Sequence, residues 1–192
     1  MRRNPIDWHG RRYEEYDDPR YDEDRAHNEE ILTWLKRVVR PSDRIVMSPE
    51  PFSADALRDT ARQEVGAKPI GLWYAVGLSW AKWCMGEQPD WLARYKYLYR
   101  LDLDESNVLR LRTAEDVLWF NTQFGRLESR WSSAIDWRQV AARSSPAGIE
   151  IAPYQYDLRL DARVCWYYGW DVASGCLWRP RGAILSVEEI DV

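Results

Sequence analysis

Two carboxylates stand out by the company they keep. Glu150 lies in Gly148-Ile-Glu-Ile-Ala152, so on an extended chain its side chain faces opposite to two isoleucines and either lines a cleft or meets water. Asp171 follows Trp166-Tyr-Tyr-Gly-Trp170 and precedes Val172-Ala-Ser-Gly175, where apolar surroundings and a nearby arginine would set its ionisation. Asp102, Asp104 and Glu105 offer the oxygen ligands that a divalent cation takes. The stretch Leu-Asp-Leu-Asp-Glu-Ser-Asn is also what a polar turn looks like, and the turn is the preferred reading.

Histidine limits what such carboxylates can work with. His9 and His27 are the only two in the chain, and both fall in its charged N-terminal stretch. That removes most Ser/His/Asp and Cys/His nucleophile systems, the His-x-Glu zinc deaminases and the His-Glu-x-x-His zinc proteases. Chemistry must run on carboxylates, arginine and lysine, hydroxyls, thiols or aromatic faces.

The elements that position these groups read as follows. Lys68 to Cys84 spells strand, turn, helix: Ile70 to Val76 is an apolar run of strand length, Gly77 permits a turn, and Ser79 caps a helix carrying Trp80, Trp83 and Cys84 on one face. Residues 1–28 are crowded with Arg, Asp, Glu and Tyr without apolar periodicity, and predict a solvated, loosely ordered arm. Asn28 then caps a helix that Pro41 ends. Arg44 to Ser48 reads as a short strand, and Ser53 caps a helix from Ala54 to about Glu64.

Tyr95, Tyr97 and Tyr99 alternate with polar and apolar partners toward Leu103, which is strand periodicity, and Val108 to Leu111 is a second strand. Thr113 with Asp116 opens a helix that Gly125 closes. A further helix is predicted from about Ser133 to Arg143, and strands over 148–152, 164–172 and 176–187. The order is not a regular alternation and hairpin connections dominate its end. A single α+β domain over 29–192 with mainly antiparallel sheets is therefore expected.

With 192 residues one domain plus a tail is the default. The net charge of -4 with mixed signs makes no overall nucleic-acid footprint, though it leaves room for a local basic patch. No apolar run approaches a membrane span and no secretory h-region follows Met-Arg-Arg-Asn, so a cytoplasmic protein without membrane contact is expected. Cys84, Cys165 and Cys176 are odd in number and set among aromatics, which predicts buried thiols in a reducing compartment.

One resemblance adds to this. Gly71-Leu-Trp-Tyr-Ala75, followed by a turn, Ser79 and a helix ending in Trp83-Cys84, resembles the Gly-Ile-Tyr-Phe-Ala segment and Ser-rich helix of poly(ADP-ribose) polymerase-type domains. The order of a strand ending in Ser48, a helix, the Gly-Leu-Trp-Tyr-Ala strand and later acidic strands is similar to the wider ADP-ribosyltransferase fold. The closing Trp170-Asp-Val-Ala-Ser-Gly-Cys-Leu-Trp-Arg-Pro-Arg resembles the last hairpin of small phage and bacterial members.

The resemblance spans roughly residues 44–190 in element order and a few short motifs in sequence. It implies an ADP-ribosyltransferase-like arrangement of mainly antiparallel split sheets flanked by helices. It also implies NAD as substrate without a metal, and a macromolecular acceptor, protein or nucleic acid. On that likeness the catalytic carboxylate is Asp171 or Glu150, Arg44 and Ser48 hold phosphate or amide groups, Trp73 or Tyr74 sandwiches nicotinamide, and Ser79 adjoins the cofactor. Met47 stands where polymerase-type members carry His, and the Ser-Thr-Ser of arginine-modifying toxins has no counterpart. The Trp and Tyr excess also fits a non-catalytic, aromatic-rich binding module or a phage-type inhibitor of a host protein.

Overall fold

Period-two alternation sorts the residues of the central strands onto two faces, and that sorting places every candidate group. The computed structural model describes residues 19–60, 62–129, 132–143 and 146–191. In chain order the elements are α1 (Pro19–Val38), β1 (Arg44–Ser48), β2 (Val65–Gly66), β3 (Leu72–Val76), α2 (Ser79–Glu87) and α3 (Pro89–Leu92). There follow β4 (Tyr97–Leu103), β5 (Val108–Leu111), α4 (Ala114–Phe124), β6 (Gly125–Ser129), β7 (Ser132–Asp136) and α5 (Trp137–Arg143), then β8 (Gly148–Ile151), β9 (Ser174–Leu177) and β10 (Ile184–Ile190).

Seven strands form one sheet in the order β10-β4-β1-β3-β9-β8-β5, and β2, β7 and β6 form a smaller one. Its pairings are antiparallel except that of β5 with β8. Leu103 of β4 and Val108 of β5 stand far apart in that order yet share one apolar cluster, so the large sheet curls. The chain is thus a mixed α+β protein with a curled, mostly antiparallel sheet and several helices.

Inside the curl lie Val46, Tyr74, Tyr99, Leu101 and Leu177, with Phe52 packed against them. The outer face is covered by two separate groups. Leu35 of α1 and Val39 just after it, Ala81 and Cys84 of α2, and Leu92 of α3 pack on Ile45 and Leu98. At the other end Val117 and Phe120 of α4, Trp137 and Val140 of α5, and Trp166 and Trp170 pack with Ile149 and Ile151. The gap between the two groups lies over β1 and β3.

Local sequence explains several of these elements directly. Thr113 accepts from the Asp116 amide while the Asp116 carboxylate accepts from Thr113, a reciprocal box that starts α4 where it was expected. Gly77, at φ +57°, turns the chain from β3 into α2, and a Cβ there would meet the Pro41 carbonyl oxygen at 2.8 Å. Tyr97, Tyr99, Leu101 and Leu103 do alternate along β4.

Other expectations are corrected. The helix α1 starts at Pro19, a residue suited to a first helical turn, and Asn28 sits within it. Asn28 is buried and donates from Nδ2 to the Pro89 carbonyl, 2.9 Å, tying α1 to α3. The rest of the expected N-terminal arm, residues 1–18, lies outside the described residues. Ser53 makes no capping bond, and only a single 3-10 turn, Ala54–Leu57, follows it. The cap of α2 is Leu78, one residue before Ser79.

Ser132–Asp136 is a strand paired with β2 and β6, so only the second half of the helix expected over 133–143 forms. Val164–Val172 is not a strand but a kinked run of 3-10 turns, Ala162–Trp170, capped by Asp161. Its buried Val164, Tyr167 and Trp170 recur every third residue, the period of a 3-10 helix, and aromatic content had imitated a strand. Cys84 and Cys176 are fully buried, and burial pushes the Cys84 thiol up to about 12; Cys165 is only half-buried.

Candidate functional site

The structure divides the expected site residues between the two faces of the large sheet. On the inner face, Tyr74, Gly175, Glu150 and Arg110 stand side by side on β3, β9, β8 and β5. Glu150 is 2% exposed, and its carboxylate accepts from Arg44 Nε at 3.0 Å and from the Tyr74 hydroxyl at 3.2 Å. Arg110 Nε lies 3.0 Å from its other oxygen. Arg44 also reaches Glu105 at 2.6 Å, and Arg110 pairs with Glu105 as well.

A buried carboxylate set among two guanidinium groups and a phenol has partners on both oxygens. Burial, then the Glu150 charge, pushes the Tyr74 phenol far above its ordinary range, so it remains a donor. The Arg44 guanidinium, beside Glu150 and Glu105, stays protonated throughout, its affinity for the proton raised further. Glu105 is held below the usual carboxylate range chiefly by its bond from Arg44. Asp43 pairs with Arg100 instead of Arg44.

On the outer face the gap between the helical groups is a hollow of about 310 Å³. Trp73 and Met47 from the sheet, Trp80 from α2, Tyr95 and Trp170 line it. Trp73 meets Trp170 edge-on with ring centroids 5.0 Å apart. Two opposite charges stand among these rings: Lys68 Nζ lies 3.5 Å from Asp171 Oδ2 and 5.4 Å from the centre of the Trp73 ring. Asp171 has φ +63° and ψ −48°, a conformation that costs a residue other than glycine about 1–3 kcal/mol. Strain of that size, on a carboxylate at the lip of an aromatic hollow, is what functional sites tend to hold.

Asp171 and Val172 also line a second, wider groove of about 760 Å³ that runs past the start of α2. Lys36, Lys82 and Arg159 bring three cations to it, and Trp83, Tyr154 and Tyr156 bring rings. None of the three cations has a carboxylate partner among the described residues. Burial pushes the Tyr154 phenol up to about 12. Trp83 Nε1, Tyr154 Oη, Arg159 Nε and, at the hollow, Trp170 Nε1 are buried without a protein hydrogen-bond partner. These four are among six such side-chain atoms in the described residues, so unmet polar groups gather at the two cavities.

Arg44, Tyr74 and Glu150 therefore meet in one place, and Trp73 and Asp171 in another. Adjacent residues of a strand point to opposite faces, and that separates Trp73 from Tyr74. Ser48 joins neither: its hydroxyl donates to the Glu50 carbonyl at 2.6 Å and closes a turn. Ser79 lines the groove, its hydroxyl given to the Ala173 carbonyl at 2.7 Å. Asp104 accepts from the amide and hydroxyl of Ser106, the polar turn expected of that segment. Among the described residues no group of three or more His, Cys, Asp and Glu is placed to hold a metal ion. No described helix is long and apolar enough to cross a membrane.

Sequence reasoning missed Lys68, Tyr95, Trp170 and the groove cations. Lys68 begins the strand–turn–helix stretch and Trp170 immediately precedes Asp171, so adjacency to the motifs was the available signal. Comparison with known protein families, with curated proteins and with solved structures returned no match.

Proposed function

We propose that the protein transfers ADP-ribose from NAD to a macromolecular acceptor, with Asp171 as the working carboxylate. One observation carries this reading: Asp171, in a strained backbone conformation, lines both the aromatic hollow and the cationic groove. A transferase of this kind needs one acidic group within reach of both donor and acceptor.

In this reading the nicotinamide ring enters the hollow against Trp73 and Trp170. The bond between nicotinamide nitrogen and ribose C1′ breaks with its electron pair going to the ring, which leaves neutral. C1′ becomes oxocarbenium-like, and the Asp171 carboxylate stabilises that positive charge where surrounding indoles exclude water. A lone pair of the acceptor forms the new bond to C1′, and the acceptor's proton passes to Asp171 and on to solvent. Lys68 holds Asp171 in the resting protein. Glu150, sealed by Arg44, Arg110 and Tyr74, ties four strands together on the far face.

The test is release of nicotinamide from labelled NAD, with protein, RNA and DNA offered as acceptors. Asp171→Asn should lower turnover by about a hundredfold or more with the fold retained. No release by the unaltered protein with any acceptor, or full activity in Asp171→Asn, overturns the proposal. The non-catalytic binding module is favoured by the exposed rings of Trp119, Tyr156 and Tyr168, and ligand capture without nicotinamide release would establish it.

A further inference from the structure

The groove that meets the hollow at Asp171 has a composition of its own, and from it we infer that it binds single-stranded nucleic acid, so placed that a base reaches Asp171. The role of that base as acceptor rests on the transfer reaction proposed above; the binding does not.

Three kinds of observation converge. Lys36 from α1, Lys82 from α2 and Arg159 from the segment after β8 line the groove, and none is neutralised by a described carboxylate. Of the two acids that line it, Asp171 is already paired with Lys68, and Glu87 lies exposed. The groove is therefore locally basic in a chain of net charge -4.

Rings are interleaved with the cations. Tyr156 is 74% exposed, and its ring meets that of Tyr154 edge-on at 4.9 Å, while Tyr154 stacks on the buried Tyr167 at 5.2 Å. Tyr156 is thus an open platform braced by a ladder of rings that ends in the core. Beyond it Tyr168 is exposed with the Arg159 guanidinium over its face at 5.5 Å. Cations that follow a backbone beside rings that accept any base are how single strands are held without sequence preference.

Shape agrees with chemistry. A groove of about 760 Å³ is roomy enough for a flexible strand, and a duplex hides the base faces that Tyr156 would stack. A purely acidic protein surface would satisfy Lys36, Lys82 and Arg159 but would leave the exposed tyrosine unused.

Fluorescence anisotropy of labelled single-stranded DNA and RNA of one sequence tests this, with the matching duplex and polyglutamate as competitors. The expected result is single-strand binding that the duplex competes for poorly. Tyr156→Ala should weaken it by about tenfold through lost stacking. Lys36→Ala and Lys82→Ala should each lower the slope of log affinity against log salt by about 0.7. Comparing DNA with RNA shows which sugar is preferred. No binding at low salt, equal competition by duplex or polyglutamate, or unchanged affinity and slope in all three variants would overturn it. Oligonucleotide binding without nicotinamide release leaves this inference standing and removes the transferase proposal; release without oligonucleotide binding does the reverse.

Discussion

The Tyr74 hydroxyl reaches Glu150 by passing over Gly175, the one residue between them across the sheet. A Cβ at Gly175 would stand 2.3 Å from the Tyr74 ring end and 2.7 Å from the Ile149 carbonyl oxygen. The absent side chain on β9 is what lets β3 and β8 exchange a hydrogen bond.

Gly175→Ala should therefore destabilise the protein by about 1–3 kcal/mol, as other overpacked cores do. Tyr74→Phe keeps the ring and removes only the hydroxyl, for a loss of about 1 kcal/mol. Denaturant midpoints measured on both variants give the comparison; a smaller loss for Gly175→Ala than for Tyr74→Phe would contradict the geometry.

The two carboxylates should separate by what they damage. Glu150→Gln leaves Arg44 and Arg110 facing a neutral group in a buried place, and about 3–5 kcal/mol of stability should go. Asp171→Asn sits at a cavity lip, and its half-exposed pairing with Lys68 contributes about 1 kcal/mol or less. Thermal unfolding and nicotinamide release on the same samples should show opposite rankings of the two variants.

Acid should loosen the smaller sheet. Asp136, buried at the end of β7, accepts from Arg138 and Arg126, and these hold its carboxyl well below the ordinary range. A folded-state value below the unfolded one means the stabilisation is complete above about pH 4 and drains away as pH falls toward the depressed value. Urea midpoints between pH 5 and pH 2 should fall, and fall less steeply in Asp136→Asn, which starts from a lower midpoint at neutral pH.

At the start of α4, Thr113→Ala removes the acceptor of the Asp116 amide. A loss of about 1 kcal/mol is expected, and Thr113→Ser should recover most of it. Equal stability of the two variants would mean the box contributes nothing.

How much of this was legible in the chain depends on how local the cause is. The box at Thr113, the turn at Gly77, the strand before it and the alternation from Tyr97 to Leu103 are all marked by the pattern of neighbouring residues in the chain, and all form. The pairing of Arg44 with Glu150 was not written in spacing, because it needs β1 and β8 brought to the same face by strands between them. Trp166, Tyr167 and Trp170 looked like a strand because aromatic residues favour pleated surfaces, yet here they pack from 3-10 turns into the cluster that α4 and α5 build. The hollow itself was illegible, since it is a gap left between two helical groups.

That gap has a consequence for biogenesis. Its wall at Trp73 belongs to β3, whose partner β9 leaves the ribosome only after the chain has grown through residue 177. Until then Trp73 has no completed surface to close on, whereas Trp80 and Trp83 already pack with residues no later than Leu98, so a stalled or truncated nascent chain would present the Trp73 indole to chaperones.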